Sequence, residues 1–368
     1  MKVYVLILLC FLLPACRPAP GNSQQQRLPE QHFQQEEVVL DNLEVPWGMD
    51  QLPDGSLLFT ERNGAIYHTD SNFANKRLIG TRKIDNPAEG GLLGLAVDPD
   101  YAKTNFIFIY ETVVTGNRVV RLRFDSLQLT DETILVRGIP KAKYHDGGAL
   151  RFGPDGYLYV GTGDARQPNL AQDTSSLAGK ILRMTRDGEP APGNPFGTLV
   201  YSYGHRNVQG LAWDADGQLF ASEHGPSGEI NGWCCHDELN KIVKGGNYGW
   251  PLVIGNDTCT GCILPVAHSG NDTWAPGGMV FVQNEGPAAL QGKLVVACLR
   301  GKKLLVFQPG VPLPEQVLFD GTYKRLRNVI QLADGDLLMA TSNRDGREAF
   351  PDKMDDRIIR IPAATQQP

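Results

Sequence analysis

The feature that most constrains this chain is a repeated unit: a run of alternating apolar residues, a turn rich in Asp and Gly, then a second alternating run. It occurs as GMDQLPDGSLLFTER (48–62), LGLAVDPDYAKTNFIFIYE (93–111) and ALRFGPDGYLYVGTGD (149–164). It returns as LAWDADGQLFASEHG (211–225), in weaker form as ALQGKLVVACLRGKKLLVF (289–307), and as VIQLADGDLLMATSN (329–343). Alternation with a period of two describes a strand, and Asp-Gly between two such strands describes a hairpin. Convincing helical periodicity is absent. Six units at intervals of about 40 to 75 residues suit four-stranded blades with loop insertions. The pattern predicts an all-β fold, a six-bladed β-propeller with four-stranded antiparallel blades, over residues 37–362. Two β-sandwiches would need a linker between halves, and the sequence has none.

Hydrophobic residues make up 41% of the 368 and charged residues 21%, ordinary values for a soluble globular protein. The formal charge of −6 provides no basic footprint for nucleic acid, so a small polar substrate is expected. Lys2 followed by the apolar run Val3–Leu13 reads as an export signal over 1–16, too short to span a bilayer. Leu13-Pro14-Ala15-Cys16 resembles a bacterial lipobox, with Cys16 as a possible lipid anchor; its proline is off-pattern, so ordinary signal-peptidase cleavage is the alternative. The polar, Gln- and Pro-rich stretch 17–36 reads as a flexible linker. The expected location is periplasmic, with outer-membrane anchoring as the lipoprotein form. Export makes disulfides the favoured reading of Cys234, Cys235, Cys259 and Cys262. Adjacent cysteines rarely bond one another, so cross-pairing between the two loops is expected, in either connectivity; zinc is the other reading. Cys298, in LVVAC, is expected to be a buried free thiol.

In a propeller, loops on one face converge at the channel mouth. Those loops carry Glu89, Tyr144-His145, His205-Arg206-Asn207, Glu223-His224-Gly225-Pro226, Trp274, Arg300 and Arg325-Leu326-Arg327. A base such as His145, several Arg forks and an aromatic suit a planar anion. The backbone carbonyls of Gly225 and Pro226 suit a hard cation.

The series GHRNVQGL (204–211), SEHGP (222–226), DELN (237–240) and GGNYGWP (245–251) closely resembles the soluble quinoprotein sugar dehydrogenases that use pyrroloquinoline quinone (PQQ), and most closely their aldose branch. The resemblance runs over nearly the whole chain after residue 36 and implies a six-bladed propeller. It implies oxidation of the anomeric carbon of aldoses to lactones, with PQQ and Ca2+ as cofactors. His145 would then be the general base and Arg206 the group that polarises the quinone carbonyl. Glu89, Asn207, His224, Trp274, Arg300, Arg325 and Arg327 would contact the cofactor or line its pocket. Gly225 and Pro226 would bind the cofactor's calcium, and Glu238 and Tyr248 a second, structural one. The partners implied are a small-molecule sugar and an electron acceptor, with the chain as monomer or homodimer. Glu89 stands where the glucose-specific enzyme of the family has a cofactor-contacting glutamine, and predicts like-charge repulsion of a tricarboxylate cofactor. The segment EINGWCCH (229–236) is an insertion. Extracellular propellers of the same superfamily, such as hedgehog-interacting proteins, carry the alternative of a non-catalytic binding module.

Overall fold

The computed structural model describes residues 36–363 apart from 86 and 87. The expected export signal lies outside the described residues, as does the expected linker except for its last residue. The fold is the expected propeller: six separate four-stranded antiparallel sheets. Blade one comprises Pro46–Gln51, Leu57–Glu61, Ala65–Thr69 and Arg77–Thr81, and blades two to five follow in chain order. Among the described residues, helix is confined to single turns at Tyr101–Thr104 and Pro168–Ala171.

The ring is closed by both ends of the chain. Blade six takes Leu326–Gln331, Leu337–Thr341 and Ile358–Ile361 from the C-terminal side, and Glu37–Leu40 pairs with Ile358–Ile361 as its outermost strand. That closure was not anticipated from the repeats. One repeat unit was also out of phase. Five of the six cover the first and second strands of a blade, but 289–307 covers the second and third strands of blade five, Leu294–Cys298 and Lys303–Phe307. The true first strand is Pro276–Phe281, and a long loop replaces the Asp-Gly turn after it.

Five of the six second strands, LLFTE, LYVG, LFASE, LVVAC and LLMAT, are buried at every position. Each is sandwiched between neighbouring blades, so both of its faces are core. The innermost strands approach one another closely around the channel. A Cβ on Gly94 would come within 2.3 Å of the Gly148 carbonyl, and one on Gly277 within 2.2 Å of the Arg327 carbonyl. Five of the six innermost strands also shift register against the second strand near their starts. These bulges turn the preceding residues toward one mouth of the channel.

Cys234 pairs with Cys235 and Cys259 with Cys262, with Cα separations of 3.7 and 5.2 Å. The expected staples between the two loops are therefore not formed. Each pair closes within its own turn, and Cys235 has a positive φ. Cys298 is the expected buried free thiol, and burial pushes its ionisation upward.

Candidate active site at the channel mouth

The loops that precede the innermost strands and follow the second strands meet in a cleft of about 980 Å³. Glu89, His145, Arg206, His224, Gly225, Pro226, Arg300 and Arg325 all line it, drawn from positions up to 236 residues apart in the chain (325 − 89).

His145 lies on the cleft floor, 6% exposed, with φ +67°, a left-handed backbone unusual for a residue with a side chain. Its Nδ1 is 2.7 Å from Oδ1 of fully buried Asp164, and its Nε2 is 2.8 Å from Nη2 of Arg206. A guanidinium can only donate, so Nε2 must present a lone pair and Nδ1 must carry the proton. Asp164 is fixed in turn by the Trp250 indole N–H at 2.8 Å and the Arg166 amide at 2.8 Å.

Arg206 is built into the turn from several directions. Its amide donates to Glu223 Oε2 at 2.7 Å, and its Nη1 donates to the His224 carbonyl at 3.0 Å. The neighbouring His205 is fully buried between Glu223 and Ser202 and stacked on Tyr248, so it anchors the turn. The Arg206 Nε donates to Glu229 Oε1 at 2.7 Å, and Nη2 also meets that carboxylate.

The cationic side of the site is undercompensated. Arg325 is paired with Asp345 at 2.7 Å, but among the described residues no carboxylate pairs with Arg327, whose Nε is buried without a partner. Burial, with Arg325, Arg62 and Arg347 nearby, pulls the Arg327 guanidinium down to about 9 despite Asp345. The Asn207 Nδ2 is likewise buried and unpartnered, while its Oδ1 accepts from the Gly147 amide at 3.0 Å. Arg327 and Asn207 lie just beneath the cleft rather than on its surface; Arg327 borders a small hollow with Arg62, Glu89 and Arg347. Unpartnered buried donors inside a cluster of cations are the complement of a polyanion.

Glu89 does not add the free negative charge its sequence position suggested. It is paired with Arg347 at 2.6 Å and accepts the His145 amide at 2.8 Å. Burial alone would raise its carboxyl, but Arg347 chiefly overcomes this and brings it down to about 2.

Gly225, Pro226, Glu238 and Tyr248, expected to serve two cations, instead border one hollow of about 20 Å³ beside Arg206 and Glu223. Glu238 is pushed up to about 8 by burial and by the Glu223 and Asp237 charges. The Asn240 Nδ2 donates to Glu238, and the amide oxygen of the same side chain is buried and unpartnered. The donors are hard oxygens and fit calcium. Two features narrow the set. The Pro226 carbonyl already accepts the Cys235 amide at 2.8 Å, which leaves it one lone pair. The Tyr248 hydroxyl is committed to the Lys241 carbonyl and the Val243 amide, each at 2.7 Å. Among the described residues no three His, Cys, Asp or Glu side chains converge on one point, so carbonyl ligands would have to complete the shell.

Trp274 is not a lining residue. Its ring packs into the core edge-on to Phe307, 5.7 Å away, while its amide donates to Asp237 at 2.7 Å. Arg300 is exposed at the cleft surface. Sequence reasoning missed Asp164, Glu229, Asp237 and Arg347. Asp164 could have been found, because it ends the third repeat where Glu223 nearly ends the fourth.

A six-bladed propeller with a carboxylate-held histidine and an arginine cluster at the channel mouth defines an oxidoreductase of the sugar dehydrogenase class. The chain belongs to the glucose/sorbosone dehydrogenase family, matched over residues 43–354. It is 31% identical over 345 residues to aldose sugar dehydrogenase YliI of Escherichia coli, covering 84% of this chain and 90% of that one. It is 35% identical over 257 residues to quinoprotein glucose dehydrogenase B of Acinetobacter calcoaceticus, covering 59% and 52%. The PQQ-bound aldose sugar dehydrogenase of Streptomyces coelicolor superposes with a TM-score of 0.80 at 41% identity, covering 89% of this chain and 97% of that one. The binding-module alternative is not favoured: similarity to the HIPL1 protein of Arabidopsis thaliana covers 34% of the chain.

Proposed function

We propose that this protein is a PQQ- and calcium-dependent aldose dehydrogenase that converts the anomeric carbon of sugars to the lactone. The observation that carries the reading is the Asp164–His145–Arg206 array, which keeps an imidazole lone pair on the floor of a cation-lined cleft.

Bound PQQ would supply the acceptor for the two electrons that leave with the anomeric hydrogen. Asp164 holds the His145 Nδ1 proton, so the Nε2 lone pair, which accepts from Arg206 Nη2, takes the proton of the anomeric hydroxyl once that donor turns away. Loss of that proton and of the anomeric hydride turns the C–OH into a carbonyl, which is the lactone. Arg206 directs donors at an oxygen that gains negative charge. Arg325, Arg327 and Asn207 would bind the cofactor's carboxylates, and the unpartnered nitrogens of Arg327 and Asn207 support this assignment. Oxygen ligands from Gly225, Pro226 and Glu238 would hold calcium.

The breadth of the cleft supports acceptance of several aldoses. The Val3–Leu13 run supports export to the periplasm, with Cys16 as lipid anchor in the lipoprotein form. Reconstitution tests the reading: the chain without residues 1–16 is mixed with calcium and PQQ, and reduction of an artificial dye is followed across a panel of aldoses. Dye reduction that requires both additions is the expected result. Absence of quinone binding at high calcium would overturn it.

A further inference from the structure

The segment inserted after Gly225-Pro226 is folded back onto those two residues. Ser227 bridges Cys234, the Gly228 amide donates to the Trp233 carbonyl at 2.7 Å, and the Cys235 amide reaches the Pro226 carbonyl. The backbones are in such close contact that a Cβ on Gly225 would come within 1.8 Å of the Cys235 carbonyl. This small hairpin carries one acidic side chain into the cleft. Glu229 is 13% exposed at its side chain, and its Oε2 is held by the Ser227 amide at 2.6 Å.

A guanidinium has five N–H donors. In Arg206 one is given to the His224 carbonyl, one to His145 Nε2 and two to Glu229. A single N–H is left. An incoming oxygen acceptor that needs a two-pronged grip must therefore displace an existing partner. The His224 carbonyl is backbone, and the single donor that His145 Nε2 releases when it turns to the sugar sits on the Nη2 that Glu229 also holds. Glu229 is a rotatable side chain on a surface hairpin, and it alone holds two donors.

We propose that Glu229 is a positioning residue that controls cofactor loading: its carboxylate occupies the donors of Arg206 and must yield them when the quinone binds. The proposal rests on the functional reading above. Glu229 and the quinone are competing acceptors for one guanidinium, and both are negatively charged. The carboxylate therefore opposes binding twice, by occupying the donors and by repelling the cofactor's own carboxylates. After displacement it remains in the cleft wall, separated from His145 by Arg206.

The experiment is an equilibrium titration of calcium-supplemented protein with PQQ, read by quenching of tryptophan fluorescence, for the unaltered chain, Glu229→Gln and Glu229→Ala. Both variants are expected to bind PQQ at least tenfold more tightly. A residue that merely braced the hairpin would weaken binding when replaced, so the direction of the change separates the two roles. Equal or weaker binding by both variants, with the unaltered chain binding normally, would overturn the proposal and leave the dehydrogenase reading standing. Failure of the unaltered chain to bind PQQ would overturn that reading, and the proposal with it.

Discussion

Asp164 and His145 are 19 positions apart and joined at 2.7 Å, and this contact decides which imidazole nitrogen faces the cleft. With the Nδ1 proton given to a fully buried carboxylate, Nε2 is the only basic site the ring can offer.

Replacing His145 with Ala should abolish turnover while quinone affinity stays within a few-fold of the original. Asp164→Asn should lower kcat by on the order of 10²- to 10⁴-fold, because the ring loses its enforced tautomer. Steady-state kinetics and a PQQ titration on the same preparations check both. A loss of quinone binding in His145→Ala would make the residue structural.

Arg206→Ala should slow the reductive half-reaction by about 10²-fold or more, the usual cost of one charge-stabilising donor. Stopped-flow reduction of bound quinone by a sugar measures that step directly. An unchanged rate would remove Arg206 from the chemistry.

Arg327→Met keeps the length of the side chain and removes the charge. It should weaken PQQ binding by roughly 10- to 100-fold, the range for a charge-assisted hydrogen bond of about 1.5–3 kcal/mol. Thermal stability should hold or rise, since the native guanidinium is buried without a carboxylate partner. Differential scanning calorimetry and equilibrium titration give the two halves of this expectation.

Asp146 sets a pH dependence. It is 1% exposed, its Oδ2 has no partner, and burial lifts its carboxyl to about 6 against a usual 3.8. Between those values the folded state retains a proton that the unfolded state has released. Stability contributed by this group is thus present at low pH and lost as pH rises from 3.8 to about 6, by at most about 3 kcal/mol. Asp146→Asn should flatten that part of a melting-temperature profile. An identical profile in the variant would show that Asp146 is not the source.

Gly94→Ala should destabilise the ring by about 1–3 kcal/mol, because the new methyl meets the backbone of the next blade. The urea midpoint should fall with no change in slope.

The propeller was legible because turns built on Asp, most of them with Gly, punctuate alternating strands, and five of the six units gave the correct phase. Blade five was misphased where that punctuation fails: the loop between Phe281 and Leu294 has no aspartate, and Gly277 and Gly278 dilute the apolar signal of the first strand. His145, Arg206 and Arg325 could be placed in the cleft because a propeller brings loops of equal phase together. Trp274 misled because an aromatic at a loop-to-strand junction reads the same whether its ring turns outward or, as here, against Phe307. Glu229 was invisible because its role depends on a hairpin of Gly, Asn and Cys that follows no periodic pattern. Glu89 was read for its own charge, whereas its effect is set by Arg347, 258 positions away.

The last blade has a topological consequence. Glu37 is paired with Arg360, so the two ends of the described chain leave the ring side by side at its outer rim, away from the cleft. A short bridge between residues 36 and 362 would make the polypeptide a continuous circle without disturbing any blade. New termini could then be cut in the loop between Phe281 and Leu294, and such a circularly permuted chain should assemble the same site from a different starting point.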